Sequence, residues 1–320
     1  MTARRALLLS IAAVTMAFTI GPRTATSQPA LLNLRIATVP NDVGAEVYYA
    51  EALGLFKKAG FDVTISSIDN GAAIAAAVAG GAADIGEANV VSIVTGYQKK
   101  LPFVVIAPAG AYDSAAPTTM LVTLANTPMK TAKDCNGKTF GTNGLLNIAQ
   151  IGGEAWLDKN GANYHTVRWL EIPSSATAAA LTSHRVDAAL MSEPSLSSAM
   201  ATGNFRAFAA PYDAIGKHWQ LGAWFSTKDW VAAHPDDARR FASVMLQAAR
   251  WANGHHDESL KLLGDVAKTV YPKQMRRAMY TERLDPQLFQ PVIESAVKYG
   301  VIPASFPATD LFVQRAAQPR

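Results

Sequence analysis

Ala76-Ala77-Val78-Ala79-Gly80-Gly81-Ala82-Ala83-Asp84-Ile85-Gly86 runs into Asn89 and Ser92, and the chain repeats the phrase a hundred residues later. There Ala179-Ala180-Leu181-Thr182-Ser183-His184-Arg185-Val186-Asp187-Ala188-Ala189 runs into Ser192 and Ser195. Each copy reads as an alanine-rich helix, a tight turn, an aspartate, a very short apolar strand and a polar residue that opens the next helix. Asp84 and Asp187 fall at matching places and are expected to serve the turn. An α/β unit repeated at that distance predicts two similar lobes with a cleft between them.

A second echo extends the repeat outward. Leu34–Val39 reads as a strand, followed by the loop Pro40–Gly44, a helix over Ala45–Leu53, a turn over Leu55–Ala59 and a strand over Asp62–Ile68. In the second half Lys138–Gly141 reads as a strand, then Thr142-Asn143-Gly144, a helix near Leu145–Lys159 and a strand over His165–Ile172. Strand and helix alternate in both, as in a parallel sheet covered by helices. The stretches Gly110–Pro117 and Pro211–Gln220 lack periodicity and read as crossovers between the halves. Beyond them the chain is largely helical, with His234-Pro235 and Asp285-Pro286 as helix starts. If this tail packs on the first half, lobe I comprises 28–112 and 213–320 and lobe II comprises 113–212.

The first 27 residues read as an export signal. Arg4 and Arg5 precede an uncharged apolar run from Ala6 to Gly21, too short for a spanning helix, and small residues at Ala25 and Ser27 place cleavage near Ser27–Gln28. Removing Arg4, Arg5 and Arg23, and no acid, brings the formal charge from +4 to +1. The basic pI of about 9.1 therefore belongs partly to the signal, and with no long Lys/Arg stripe nucleic acid is not an expected partner. Cys135 is the one cysteine, so no internal disulfide is available.

Ligands of parallel α/β sheets sit at the carboxyl ends of strands, beside helix N-termini with free backbone N–H groups. That rule selects four loops: Pro40–Gly44, Glu87–Asn89, Gly141–Asn147 and Met191–Pro194. Their hydrogen-bonding side chains are Asn41, Asp42, Asn89, Thr142, Asn143, Asn147, Ser192 and Glu193. Each alone is equally a helix N-cap; four such loops at matching places make the collective case. Tyr112, Asp113 and Trp224 sit at or near the crossovers, where an aromatic can cover a ligand or simply pack a hinge. Tyr48 is a weaker candidate, on a helix that must bury one face.

Two motif matches fail on context. Ala132–Thr139 fits a permissive phosphate-loop pattern, but Lys138 opens a strand where the mechanism needs a helix start. His255-His256 has no third ligand at helical spacing, and adjacent side chains diverge, so no metal site is expected. No nucleophile elbow or metalloprotease signature is present in the sequence, and no cofactor is expected.

The run Ala50–Val63, with Ala50-Glu51-Ala52-Leu53-Gly54-Leu55-Phe56 at its start, resembles a signature of the nitrate/sulfonate/taurine family of ABC-transporter substrate-binding proteins, which includes the thiamine-precursor group. Gly80–Gly86, Gly137–Gly141 and Arg185–Ala189 with Glu193-Pro194 resemble its further signatures. The resemblance implies an α/β, two-lobed periplasmic-binding-protein fold of type II-like form, its lobes joined by two crossover strands. It also implies a periplasmic monomer that is not an enzyme, closes on a small solute and delivers it to an ABC permease and its ATPase. The family's binding loops correspond to Asn41 and Asp42, Ala88 and Asn89, Thr142 and Asn143, Ser192 and Glu193. These loops hold Asp42, Glu87 and Glu193 and no Lys or Arg, so a zwitterion, an amine-bearing heterocycle or a neutral solute fits as well as a simple anion. Enzymes on the same scaffold, such as a pyrimidine-precursor synthase or a menaquinone-route dehydratase, form the competing class. The former carries a cysteine-rich segment absent here, and an export signal argues against both.

Overall fold

The structure is a computed structural model that describes residues 31–268 and 270–312; the expected export signal lies outside the described residues. The chain opens with β1 (Leu32–Thr38), enters α1 (Glu46–Ala52) through a tight turn at Asp42–Gly44, and continues through α2 (Leu55–Lys58), β2 (Phe61–Ser67), α3 (Gly71–Ala79), β3 (Ile85–Asn89), α4 (Val90–Gln98) and β4 (Phe103–Pro108). It crosses over in β5 (Gly110–Asp113) and builds β6 (Thr119–Leu124), β7 (Thr139–Thr142), α5 (Ile148–Lys159), β8 (Arg168–Glu171), α6 (Thr177–Thr182), β9 (Ala188–Ser192), α7 (Ser195–Met200) and β10 (Phe205–Ala209). β11 (His218–Gln220) crosses back to β12 (Gly222–Thr227), followed by α8 (Lys228–Ala233), α9 (Pro235–Gly254), α10 (His256–Ala267), β13 (Met279–Tyr280) and α11 (Pro286–Lys298).

Two five-stranded sheets have the same plan. The first has the order β2-β1-β3-β12-β4 and the second β8-β7-β9-β6-β10. In each, one strand runs antiparallel to the other four: β12 against β3 and β4, and β6 against β9 and β10. Both odd strands are the first to enter their sheet after a crossover, so the sheets are mixed where the alternation predicted parallel ones. The crossovers are strands, as the resemblance implied, within stretches whose sequence shows no periodicity. β5 and β11 pair antiparallel, with Trp219 opposite Tyr112, and β13 adds to the other edge of β5.

The repeated phrase has one geometric meaning in both lobes. The Arg35 N–H donates to the Asp84 carboxylate at 2.8 Å, and the Asp84 N–H returns a bond to the Arg35 carbonyl at 2.8 Å. Thr139 and Asp187 repeat both bonds, each at 2.8 Å. This two-point clamp sets the start of β3 against β1 and of β9 against β7. A left-handed residue precedes each clamp, Gly81 at φ +73° and His184 at φ +56°, the conformation that ends a helix and turns the chain.

The lobes differ in how they close their cores. The first sheet shares one core with the C-terminal helices: Phe56, Phe241, Trp224 and Phe289 are all buried in it. The second sheet separates two smaller cores, one around Leu121, Phe140 and Leu157, the other around Val122, Leu181 and Met191. The alternation of Leu121 and Val122 in β6 sends neighbours to opposite faces. Cys135 is buried in the former core, where burial pushes its thiol up to about 12. Lys138 precedes β7 and no helix start is at hand, as expected for a chance phosphate-loop match. His255 stacks on Trp251 between α9 and α10.

The two left-handed turns generate a prediction. A Cβ on Gly81 meets nothing within 4 Å, so Gly81→Ala carries only a conformational cost, about 1 kcal/mol. His184→Gly relieves the same cost and gains about 0.5 kcal/mol after the added freedom of the unfolded chain is counted. Urea unfolding of the two variants is expected to shift in opposite directions.

Candidate functional site

The four loops selected above converge on one cavity of about 70 Å³ between the two sheets. It is lined by Asn41, Asn89, Asn143, Asn147, Ser192 and Glu193 from those loops, together with Glu87, Thr119, Ser174, Thr177, Ser195, Tyr212 and apolar groups that include Ile148, Leu190 and Leu221.

Local chemistry positions these side chains. Asn41 caps the Asp42–Gly44 turn by accepting from the Gly44 N–H at 3.0 Å. Asn89 and Asn147 cap α4 and α5, accepting from Ser92 and Gln150 N–H groups at 3.1 Å each. The Glu193 carboxylate accepts from the Ser197 N–H at 3.0 Å and its hydroxyl at 2.8 Å, which commits both oxygens to the first turn of α7. The Ser192 and Thr119 hydroxyls share a hydrogen bond at 2.8 Å. Asparagines at these helix and turn starts thus act as caps while lining the cavity.

The lobes touch across the cavity mouth. The Asn143 amide donates to the Asp69 carbonyl at 3.1 Å, and the Ser174 N–H donates to the Asp69 carboxylate at 3.2 Å. The Asn70 amide reaches Glu171 at 3.4 Å, and the Asp42 N–H donates to the Glu193 carbonyl at 3.2 Å. Asn143 accepts from Asn147 at 3.0 Å as well, so its amide is spent on lobe contact and loop order. Asp69 and Asn70 had no sequence signal beyond a turn.

Five expected site residues lie away from the cavity lining. Asp42 is buried at 1% exposure and pairs with Arg277, whose guanidinium donates to both carboxylate oxygens at 2.8–3.2 Å. Thr142 is buried and donates to the Gly144 carbonyl at 3.1 Å, as Thr38 does to Gly44 at 3.0 Å at the matching end of β1. Tyr112 packs with Tyr212 and Trp219 at the crossover and donates to Asp213 at 2.7 Å. Asp113 accepts from the Ala115 N–H at 2.8 Å, a turn cap. Trp224 is buried and donates to Glu46 at 2.8 Å. Asp42, Tyr112 and Trp224 are drawn away by partners remote in sequence, Thr142 and Asp113 by backbone groups two residues on. Tyr48, the weaker candidate, bonds to Ser67 at 2.7 Å.

The charge of the cavity is set by what is absent from its lining and by what is buried beneath it. Among the described residues that line it there is no Lys, Arg or His. Glu87 is fully buried, and desolvation pushes its carboxyl up to about 7. Glu46, behind it on α1, is held well above the usual carboxylate range by burial, with the Trp224 hydrogen bond opposing and the Glu87 charge adding. The register of the repeat places Glu87 three residues after Asp84, where the other lobe has Leu190 three residues after Asp187. That mismatch was visible in the sequence, and it is the signal by which Glu87 could have joined the candidates. Ser174 and Tyr212 had none, because they reach the cavity from connections that carry no motif, and Thr177 opens α6 without an N-cap signal of its own.

Two measurements follow from these buried charges. Arg277→Ala leaves the Asp42 carboxylate buried without its partner and is expected to cost about 3–5 kcal/mol in denaturant unfolding. A folded-state pKa raised above the unfolded one means that the native state holds its proton longer. Stability is therefore highest below the unfolded pKa and falls as pH rises from about 4.5 to 7, by on the order of 3 kcal/mol for Glu87. Glu87→Gln is expected to flatten that part of a Tm-versus-pH profile.

A family model described as NMT1/THI5 like matches residues 41–259. A search of curated proteins finds no match. Among solved structures, the periplasmic aliphatic sulphonate binding protein of Escherichia coli superposes with a TM-score of 0.72 at 14% identity, over 90% of this chain and 94% of that one. The alkanesulfonate-binding protein of Xanthomonas axonopodis pv. citri bound to MOPS gives 0.74 at 16% identity, over 89% and 99%. The periplasmic nitrate-binding protein of Synechocystis PCC 6803 gives 0.72 at 13% identity, over 89% and 86%. These likenesses establish the two-lobed periplasmic-binding-protein fold. Because the family model spans most of the chain and includes both copies of the repeated phrase, the protein belongs to the NMT1/THI5-like family.

Proposed function

We propose that the protein is the solute-binding component of an ABC importer. It captures a small polar organic solute by lobe closure and delivers it to a membrane permease served by an ATPase. The observation that carries this reading is the cavity itself: matching loops from two sheets of one plan enclose it, and two paired crossover strands join the sheets. Such a joint bends at a few residues and lets rigid lobes close on a ligand. The sulfonate- and nitrate-binding names of the structural neighbours support the same role.

The lobes on this reading are 28–112 with 213–320, and 113–212. The protein acts as a monomer in the periplasm after loss of its signal; no helix among the described residues is long and apolar enough to cross a membrane. Sulfonates, taurine-like zwitterions, nitrogen heterocycles and small organic acids are the candidate solutes. Asn89, Asn147 and Ser192 are the side chains assigned to the ligand, with Asn143 acting at the closing contact.

Binding is favoured over turnover because the described lining residues include neither Cys nor His, the side chains that most often supply nucleophile and base. A thermal-shift screen of small solutes is expected to give a stabilising hit that is recovered unchanged; conversion of that hit would overturn the non-enzymatic reading. Small-angle scattering is expected to show a smaller radius of gyration with saturating hit than without. Removing the Asn143 amide in Asn143→Ala is expected to weaken binding by about 1 kcal/mol in calorimetry and, through the loss of its bonds to Asp69 and Asn147, to lower the unfolding midpoint as well.

A further inference from the structure

We propose that Glu87 sets the ligand class: the solute presents a hydrogen-bond-donating or positively charged nitrogen to its carboxylate, and oxyanions are turned away. The inference rests on the cleft being the binding site.

The first support is that the protein builds a slot for this acid. A Cβ on Gly222 of β12 would stand 2.4 Å from Glu87 Oε1, and one on Gly44 would stand 2.8 Å from Oε2. A side chain at either glycine would press on the carboxylate, and at Gly44 on the closer Thr38 hydroxyl as well, so β12 and the Asp42–Gly44 turn are both cut back to backbone beside it. Gly222 and Gly44 have ordinary negative φ, and space rather than conformation accounts for them.

The second is that the fold does not need the acid. Leu190 occupies the matching position of the other lobe and also lines the cavity. Burying a carboxyl costs several kcal/mol relative to an aliphatic side chain unless partners compensate. The partners that Glu87 has in the protein are few: the Thr38 hydroxyl at 3.5 Å, already committed to the Gly44 carbonyl, and the backbone of Val39. An under-partnered carboxylate on a cavity wall has capacity left for a ligand donor.

The third is the surrounding charge. Glu46 of α1 interacts with the Glu87 charge, Glu193 and Tyr212 line the same cavity, and Asp42 of the preceding turn is closed off by Arg277, Tyr49 and Tyr280. Arg277 is consumed by Asp42, and Glu193 by Ser197. Among the described residues that line the cavity there is no cation to receive a sulfonate, nitrate or carboxylate, whose charge would meet Glu87 in a water-poor space. Backbone donors at helix starts are the one feature that favours an anion, and they serve the acceptor atoms of a mixed donor–acceptor solute equally well.

The test is a thermal-shift library of amines, nitrogen heterocycles, sulfonates, carboxylates and nitrate at pH 8, run on the wild-type protein and on Glu87→Gln with circular dichroism as the check of folding. Stabilising compounds are expected to carry a nitrogen donor and to lose roughly tenfold or more in affinity with the variant. A sulfonate, carboxylate or nitrate that stabilises the wild-type protein and binds Glu87→Gln as well or better would overturn the inference and leave the solute-binding role intact. A library silent on both proteins would overturn the binding role itself. If Glu87→Gln does not fold, wild-type calorimetry of a nitrogen-donor hit near pH 7 in two buffers of different ionisation heat decides the matter. Proton release on binding, with affinity rising from pH 6 to pH 8, is expected; no proton exchange overturns the assignment.

Discussion

The buried ion pair between Asp42 and Arg277 is the constraint on which most of this molecule turns. It joins the first loop of the cleft to a segment 235 residues later, and the Ala278 N–H and Tyr280 hydroxyl add bonds to the same turn. Burial works against the Arg277 charge, and Asp42 beside it more than offsets that effect, so the guanidinium stays charged. The pair therefore fixes the Asp42–Gly44 turn, docks β13 on the crossover strand β5, and brings the C-terminal helices onto the first sheet. It also removes both of its charges from the cavity.

Around that anchor the two lobes are variations on one plan. The aspartate clamp, the threonine that ends the first strand of each unit, and the left-handed turn before the clamp recur with the same hydrogen bonds. Where the copies diverge, the divergence has a physical consequence. Gly81 becomes His184, which trades backbone ease for a side chain. Glu87 becomes Leu190, which puts a carboxyl at one of two matching places on the cavity lining and an aliphatic group at the other. A duplicated frame thus carries an unsymmetrical site.

Much of this frame was legible in the chain. Alternating strand and helix patterns, proline at helix starts and asparagine or serine after each short strand marked the elements and the four loops that converge. The distinction between a cap and a ligand contact was not. Asn41, Asn89 and Asn147 are both caps and cavity residues, because the geometry that bonds Oδ1 to a helix N–H leaves the rest of the amide beside the cleft. Asp42 and Trp224 looked equally available, yet each found a buried partner more than 170 residues away. No local pattern encodes such a partner.

The antiparallel strand in each sheet has the same origin. A strand's direction depends on where the chain re-enters the lobe, and a six-residue apolar run reads the same either way. Sequence alone determined the number of lobes, the order of their elements and the loops that face each other, since these follow from periodicity and from residues acting on near neighbours. Tertiary structure decided which polar groups remain free, which are consumed in ion pairs and caps, and that a carboxylate stands on the cavity wall without a cation. Those outcomes depend on the burial of groups distant in the chain, and burial is a property of the packed whole.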